Sequence, residues 1–179
     1  MSNTNAALIE FLSAPGTRPP VYLGWGSMMC KSPEWMVALA IEALYHAGER
    51  GILLGGWASL GQDHVPDHLK EFCKENVLFV SSAPHEWLFP QCSCIVHHGG
   101  SGTTAASVRS GRPTAITPVM GDQFDFADGI NEIGCGIGLK QMSSVTGTVL
   151  GDAITKCIKD EGIINCAKET GTKLLAEDG

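Results

Sequence analysis

Cys94-Ile95-Val96-His97-His98-Gly99-Gly100-Ser101-Gly102-Thr103-Thr104 is the stretch on which the fold turns. Cys94 to His97 is a short apolar run of strand length, and the glycines after it stop the strand. From Ser101 to Ser110 the residues read as a helix. A strand that bends through glycines directly into a helix is the repeating unit of α/β proteins.

The same alternation extends in both directions. On the N-terminal side, after an apolar patch (Leu8, Ile9, Phe11, Leu12) and a Pro/Gly-rich break, Val21 to Leu23 is a strand stopping at Gly24-Trp25-Gly26-Ser27. Ser32-Pro33-Glu34 is a helix start, with a capping serine, proline at the first helical position and an acid in the first turn. That helix runs to Gly48. Ile52 to Leu54 and Val77 to Val80 are strands, with a short helix from Pro66 through Cys73 between them and a turn or short helix over Pro84 to Phe89. On the C-terminal side, Thr114 to Thr117 is a strand ending at Pro118, Asp122 to Ile133 is a helix stopped by Gly134, and Gly136 to Leu139 is a last strand. Thr146 to Lys159 and Ile163 to Leu175 read as helices. Short apolar strands alternating with helices predict a parallel sheet covered on both faces, an α/β doubly wound, Rossmann-like fold. We expect one domain over residues 1–179. In such folds ligands sit at the carboxyl ends of the strands, where the Gly, Ser, His and Trp residues gather.

The bend at 97–104 has the means to hold an anion. Glycines bring the backbone close to a ligand, and a helix start offers unpaired amides at the positive end of its dipole. Ser101, Thr103 and Thr104 add hydroxyls, and His98 adds a ring donor. A tight turn with capping hydroxyls and no ligand would use the same residues. Other motifs fail: no Gly-Lys-Ser/Thr follows, Met29 stands where the dinucleotide fingerprint needs its third glycine, and Thr103 stands where a hydrolase elbow needs glycine. His97 and His98 are adjacent in a strand and face opposite ways, so they make no metal pair. Asp122-Gln123 follows the fifth strand and offers both donors and acceptors to hydroxyls, although a capping Asp beside a solvated Gln is the commoner arrangement. Ser27 sits where it either reaches a phosphate or caps a turn. Trp57 and Trp87 lie near loop ends, where they border a ligand or fill the core.

Composition narrows the class. The chain has 179 residues, 44% hydrophobic and 17% charged, enough for a full core and too apolar for disorder. A net charge of -7 argues against a general nucleic-acid binder. Seven irregularly spaced cysteines read as buried reduced thiols. Residues 1–10 lack the charged start and apolar core of a signal peptide, and no apolar run approaches the roughly 20 residues of a membrane span.

In order along the chain stand Val-Tyr-Leu-Gly-Trp-Gly-Ser-Met (21–28), Gly-Gly-Trp (55–57), Ala-Pro-His-Glu-Trp-Leu-Phe-Pro (83–90), His-His-Gly-Gly-Ser-Gly-Thr-Thr (97–104), Gly-Arg-Pro-Thr (111–114) and Pro-Val-Met-Gly-Asp-Gln (118–123). Each is weak alone. Together they resemble the C-terminal, donor-binding domain of GT-B-fold UDP-glycosyltransferases, and among these the sterol 3-beta-glucosyltransferases. The resemblance implies that Ser27, His98, Gly100, Ser101, Gly102 and Thr103 hold the diphosphate. It implies that Ala83, Pro84 and His85, with Trp57 beside them, meet uracil, and that Asp122 and Gln123 grip the donor sugar. In plant-type relatives a Glu on the helix after the phosphate loop contacts ribose; here that place is Ala106, so ribose must be held another way.

The resemblance also implies what lies elsewhere. The family's general base is a histidine on an N-terminal acceptor domain, to which nothing here corresponds, so no catalytic residue and no metal ligand is assigned in this chain. UDP-glucose would be a substrate, and no cofactor is expected. The expected partners are the UDP-sugar donor and an acceptor domain on a longer parent or a separate chain, with no nucleic acid. The expected place is the cytoplasm, peripheral to membranes in a full-length protein. Two functions are compatible with the loop: half of an inverting hexosyltransferase acting on a lipid or sterol-like hydroxyl and inactive alone, or a non-catalytic donor-binding subunit needing a partner chain. A nucleotide-sugar epimerase would need acidic catalytic residues that find no place here.

Overall fold

A computed structural model describes residues 3–56 and 59–177. Six parallel strands run in the order β3-β2-β1-β4-β5-β6: β1 Val21–Leu23, β2 Gly51–Leu54, β3 Val77–Val80, β4 Cys94–His97, β5 Thr114–Ile116 and β6 Gly136–Gly138. The chain moves outward from β1 to β3, returns to the far side of β1 as β4, and continues outward to β6. The crossover direction therefore reverses between β1 and β4.

Period-two alternation sends successive side chains to opposite faces. Val21, Leu23, Leu53, Cys94, Val96 and Ala115 enter one apolar cluster, beneath α2 (Pro33–Ala47) and α7 (Gly147–Lys159). Tyr22, Ile52, Leu54 and Ile95 enter a second on the other face. Leu8 of α1 (Asn3–Leu12) and Leu88 of α4 (His85–Leu88) close that face. Ile116 joins a third cluster with Ala127 and Ile130 of α6 (Gln123–Ile133) and Ala167 of α8 (Glu161–Ala176). Helices cover both faces, so the sheet is doubly wound. Burying the strands on both sides explains why they read as continuous apolar runs.

The boundaries follow local chemistry. Ser32 Oγ accepts from the Trp35 amide at 3.2 Å with Pro33 at the first helical position, and Gly48 closes α2 in the left-handed conformation. Gly134 closes α6 in the same way. The last helix begins earlier than Ile163, because Asp160 caps it by accepting from Gly162 and Ile163 amides. The apolar patch at residues 8–12 belongs to a helix, and the helix after Pro66 is a 3-10 turn leading into α3 (Lys70–Asn76). All seven cysteines are unpaired; six are buried and Cys166 is half-buried. No helix among the described residues is long and apolar enough to cross a membrane.

Candidate functional site

The carboxyl ends of β1, β4 and β5 form the floor of a crevice at the reversal point. The Gly24 amide extends the β1–β4 ladder beyond the strand by donating to Val96 O at 3.0 Å. Trp25 lies buried on the same face as Val21 and Leu23, and its Nε1 donates to Thr117 Oγ1 at 2.8 Å. The Thr117 amide donates to His97 O at 2.9 Å. These bonds tie the three loops that follow β1, β4 and β5 into one rigid rim.

His97 and His98 divide the work of the bend. The Gly99 amide donates to His97 Nδ1 at 3.0 Å, so the proton sits on Nε2, which donates to Thr114 Oγ1 at 2.9 Å. Full burial, with His98 and His85 nearby, pulls His97 down to about 3 and keeps it neutral. Gly99 has φ +91, and a Cβ there would lie 2.8 Å from Ile116 Cγ2 and 3.0 Å from Gln123 O. Only glycine fits both the conformation and the space.

His98 points the other way, half-buried in the crevice. A Cβ on Gly100 would stand 2.5 Å from its Nε2, and one on Gly26 would stand 3.4 Å from its Cε1. The ring therefore bridges the turns after β1 and β4. Its Nδ1 is buried without a hydrogen-bond partner, and burial lowers its pKa.

α5 (Ser101–Arg109) starts at this point. Gly100 occupies its cap position and supplies no side-chain cap, and the first internal helical bond is Thr104 N to Gly100 O at 2.8 Å. The amides of Ser101, Gly102 and Thr103 head the helix with no helical partner. Ser101, Gly102 and Ser27 are exposed. The structure thus gathers Ser27, His98, Gly100, Ser101, Gly102 and Thr103 at the reversal point.

The β5 loop adjoins them. Gln123 is only 6% exposed; its Oε1 accepts from the Val119 and Met120 amides at 2.8 and 3.1 Å, and its Nε2 lies 3.5 Å from Met28 Sδ. Its oxygen is thus committed to the loop, leaving Nε2 for any ligand. Asp122 is exposed at the start of α6 and makes no side-chain cap bond. The arrangement is the reverse of a capping Asp beside a solvated Gln.

After β3, Ala83 and His85 are half-buried and Pro84 is exposed. His85 Nε2 lies 3.1 Å from Tyr22 Oη and its ring stacks on Phe89 at 4.5 Å, so this loop is anchored to β1. Burial lowers the pKa of His85 and holds Tyr22 well above the ordinary phenol range. Trp57 lies outside the described residues, and Trp87 is exposed on α4. Between α4 and α5 opens a concavity of about 680 Å3, lined by Gly102, Ala105, Ala106 and Arg109 of α5 and by Glu86 of α4, its only carboxylate among the described residues. Trp25, His97 and Thr117 are positioning residues that the motif reading passed over. Alternation along β1 could have placed Trp25 in the core, and alternation along β4 could have separated the two histidines; Thr117 gives no such signal.

Residues 61–178 match the family described as "Erythromycin biosynthesis protein CIII-like, C-terminal domain". The chain is 47% identical over 118 residues to a sterol 3-beta-glucosyltransferase of Arabidopsis thaliana, covering 66% of this chain and 18% of that protein. It is 39% identical over 176 residues to the sterol 3-beta-glucosyltransferase of Saccharomyces cerevisiae (strain YJM789), covering 97% of this chain and 14% of that protein. The chain thus spans less than a fifth of the length of either relative. Among solved structures, it superposes on a UDP-glucose: anthocyanidin 3-O-glucosyltransferase in complex with UDP with a TM-score of 0.76 at 20% identity, covering 95% of this chain and 39% of that one. On Os79 from O. sativa the TM-score is 0.80 at 16% identity, covering 97% of this chain and 40% of that one. With its sheet order and strand-end crevice, the chain belongs to the Erythromycin biosynthesis protein CIII-like C-terminal domain family of glycosyltransferases, and its fold is the Rossmann-like C-terminal half of a GT-B fold.

Proposed function

We propose that this chain binds a UDP-sugar, with glucose as the sugar, as the donor half of an inverting glycosyltransferase acting on a sterol-like hydroxyl. The observation that carries the reading is the open start of α5, whose unpartnered amides face the β1/β4 crevice between Ser27 and His98. A diphosphate there meets amides, hydroxyls and the positive end of a helix without any Lys or Arg.

The acceptor hydroxyl gives its proton to a general base on an acceptor domain or partner chain. Its oxygen attacks the anomeric carbon, and the bond from that carbon to the phosphate oxygen breaks with inversion. Negative charge grows on the departing UDP, where the α5 amides, Ser27, Thr103 and the His98 Nε2 proton stabilise it. The diphosphate's charge also favours a protonated His98, against the burial that lowers its pKa in the free protein. Asp122 accepts from sugar hydroxyls and Gln123 donates through Nε2. Uracil lies along Ala83, Pro84 and His85, and ribose falls in the concavity that Ala106 and Glu86 line. The same reading places the protein in the cytoplasm, where its unpaired cysteines stay reduced.

Calorimetry with UDP, UDP-glucose, ADP and GDP tests the donor assignment. Expected is weak 1:1 binding of UDP and UDP-glucose, reduced by Ser27→Ala and His98→Ala. Tighter binding of a purine diphosphate would refute the uridine reading. Glucose transfer to a sterol by the chain on its own would refute the placement of the base elsewhere.

A further inference from the structure

At the amino-terminal edge of the sheet, opposite the crevice, lies a cavity of about 570 Å3. Ser93 before β4 and Pro113 before β5 form its floor, and α8 forms its roof. Arg109, Arg112 and Lys168 line it, and among the described residues no Asp or Glu does. Among the described residues none of the three pairs with a carboxylate. In a chain of net charge -7, three unneutralised cations around one cavity run against the overall charge.

The groups differ in what they leave free. Arg112 donates through Nε and Nη2 to Pro90 O, at 3.0 and 2.6 Å, and keeps Nη1 unused. Arg109 and Lys168 are exposed and make no side-chain hydrogen bond among the described residues. Arg109 in the last turn of α5 complements the helix dipole, but that interaction leaves its donors available. On the floor, Ser93 Oγ is buried without a hydrogen-bond partner. Ser110 and Thr172 also line it, with hydroxyls that donate to Ser107 O and Lys168 O, and an apolar wall is made by Pro19, Ile158 and Ile164, with Leu175 at the lip.

The cavity is formed in advance. α8 lies so close over the turn after α5 that a Cβ on Gly171 would stand 2.6 Å from Gly111 Cα. That contact sets the height of Lys168 above the floor, so little ordering is needed when a ligand enters.

We propose that this cavity binds an anionic amphiphile, its phosphate or carboxylate head among Arg109, Arg112 and Lys168 and its apolar portion on Pro19, Ile158 and Ile164. Charge without a counter-ion selects the head, and the apolar wall selects the tail. The head group lies at the carboxyl end of α5, away from the diphosphate loop at its start, while Arg109, Ser110, Pro90 and Leu175 also line the neighbouring concavity between α4 and α5.

Calorimetry on the full chain tests it, with dodecyl phosphate below its micelle concentration as probe and inorganic phosphate and octyl glucoside as comparisons. Expected is 1:1 binding of dodecyl phosphate, about tenfold tighter than either comparison. The double variant Arg109→Gln/Lys168→Gln should lose about tenfold in affinity with an unchanged melting temperature, and Arg109→Lys/Lys168→Arg should retain most of it. Ser27→Ala, in the donor crevice, should leave the isotherm unchanged. Equal binding of octyl glucoside or of inorganic phosphate, undiminished binding by the folded double variant, or weakened binding by Ser27→Ala would each overturn the assignment.

Discussion

The Gly99 amide donates to Nδ1 of His97 across 3.0 Å, so the last side chain of β4 holds the bend that follows it. The bond requires a neutral ring. In the folded protein His97 stays neutral down to about 3, whereas in the unfolded chain it titrates near about 6.5. The unfolded state therefore takes up the extra proton between those values. His97's contribution is complete above the upper value and declines as the pH falls through the window, by about 1.4 kcal/mol per pH unit. His85 and His98, also lowered by burial, act in the same direction. Urea unfolding followed from about pH 7.5 to 5 measures the slope. His97→Asn keeps an acceptor for Gly99 and should flatten it; an unchanged slope in that variant would assign the acid sensitivity elsewhere.

Two glycines of the same loop should respond oppositely to a methyl group. Gly99→Ala meets Ile116 and the Gln123 carbonyl in a left-handed conformation and should lose about 3 kcal/mol of stability. Gly102 has nothing within 4 Å of a Cβ, so Gly102→Ala should keep stability or add about 0.5 kcal/mol. Its methyl points toward the space assigned to the ligand, so UDP affinity should fall. Chemical denaturation beside calorimetry separates the two effects.

Thr117→Val removes the acceptor of the buried Trp25 indole. An indole N–H left unpaired in the core should lower stability by about 2 kcal/mol. Trp25→Tyr, which alters shape as well, is a less clean test than Thr117→Val. Retention of full stability by the valine variant, read from the urea midpoint, would mean that the rim is held by other contacts.

Glu86 and Ala106 line the same concavity between α4 and α5. If ribose lies there, Glu86→Gln should weaken UDP binding about fivefold. The same variant should leave the binding of a 2',3'-dideoxy analogue nearly unchanged. Equal losses for both nucleotides would place the ribose elsewhere.

The strands and long helices were legible because their signals are local. Val21 to Leu23 is bounded by Pro and Gly, and α2 carries both its cap serine and its closing glycine in sequence. The loop glycines also declared themselves, since a strand running into Gly99-Gly100 has few other uses. Roles set by distant partners were not legible. Nothing near Gln123 in sequence says that its carbonyl will serve the Val119 and Met120 amides, nor that its amide will lie against Met28. The partnership of Trp25 with Thr117 spans 92 positions and exists only once β4 lies between them. The lower cavity was invisible for the same reason: Arg109 and Lys168 line one cavity because a glycine lets one helix settle on another.

Gln123 fastens the turn after β5 through two backbone amides, so that a side chain of α6 sets the shape of the loop before it. Under the proposed donor reading, a sugar arriving there would meet a turn already held by hydrogen bonds. Discrimination among near-identical guests, such as epimers differing at one hydroxyl, then depends on whether a group lands opposite a stationary donor. A turn held in this way would add little ordering cost to binding, so the geometry of its donors, more than the folding of a loop, would decide between such guests.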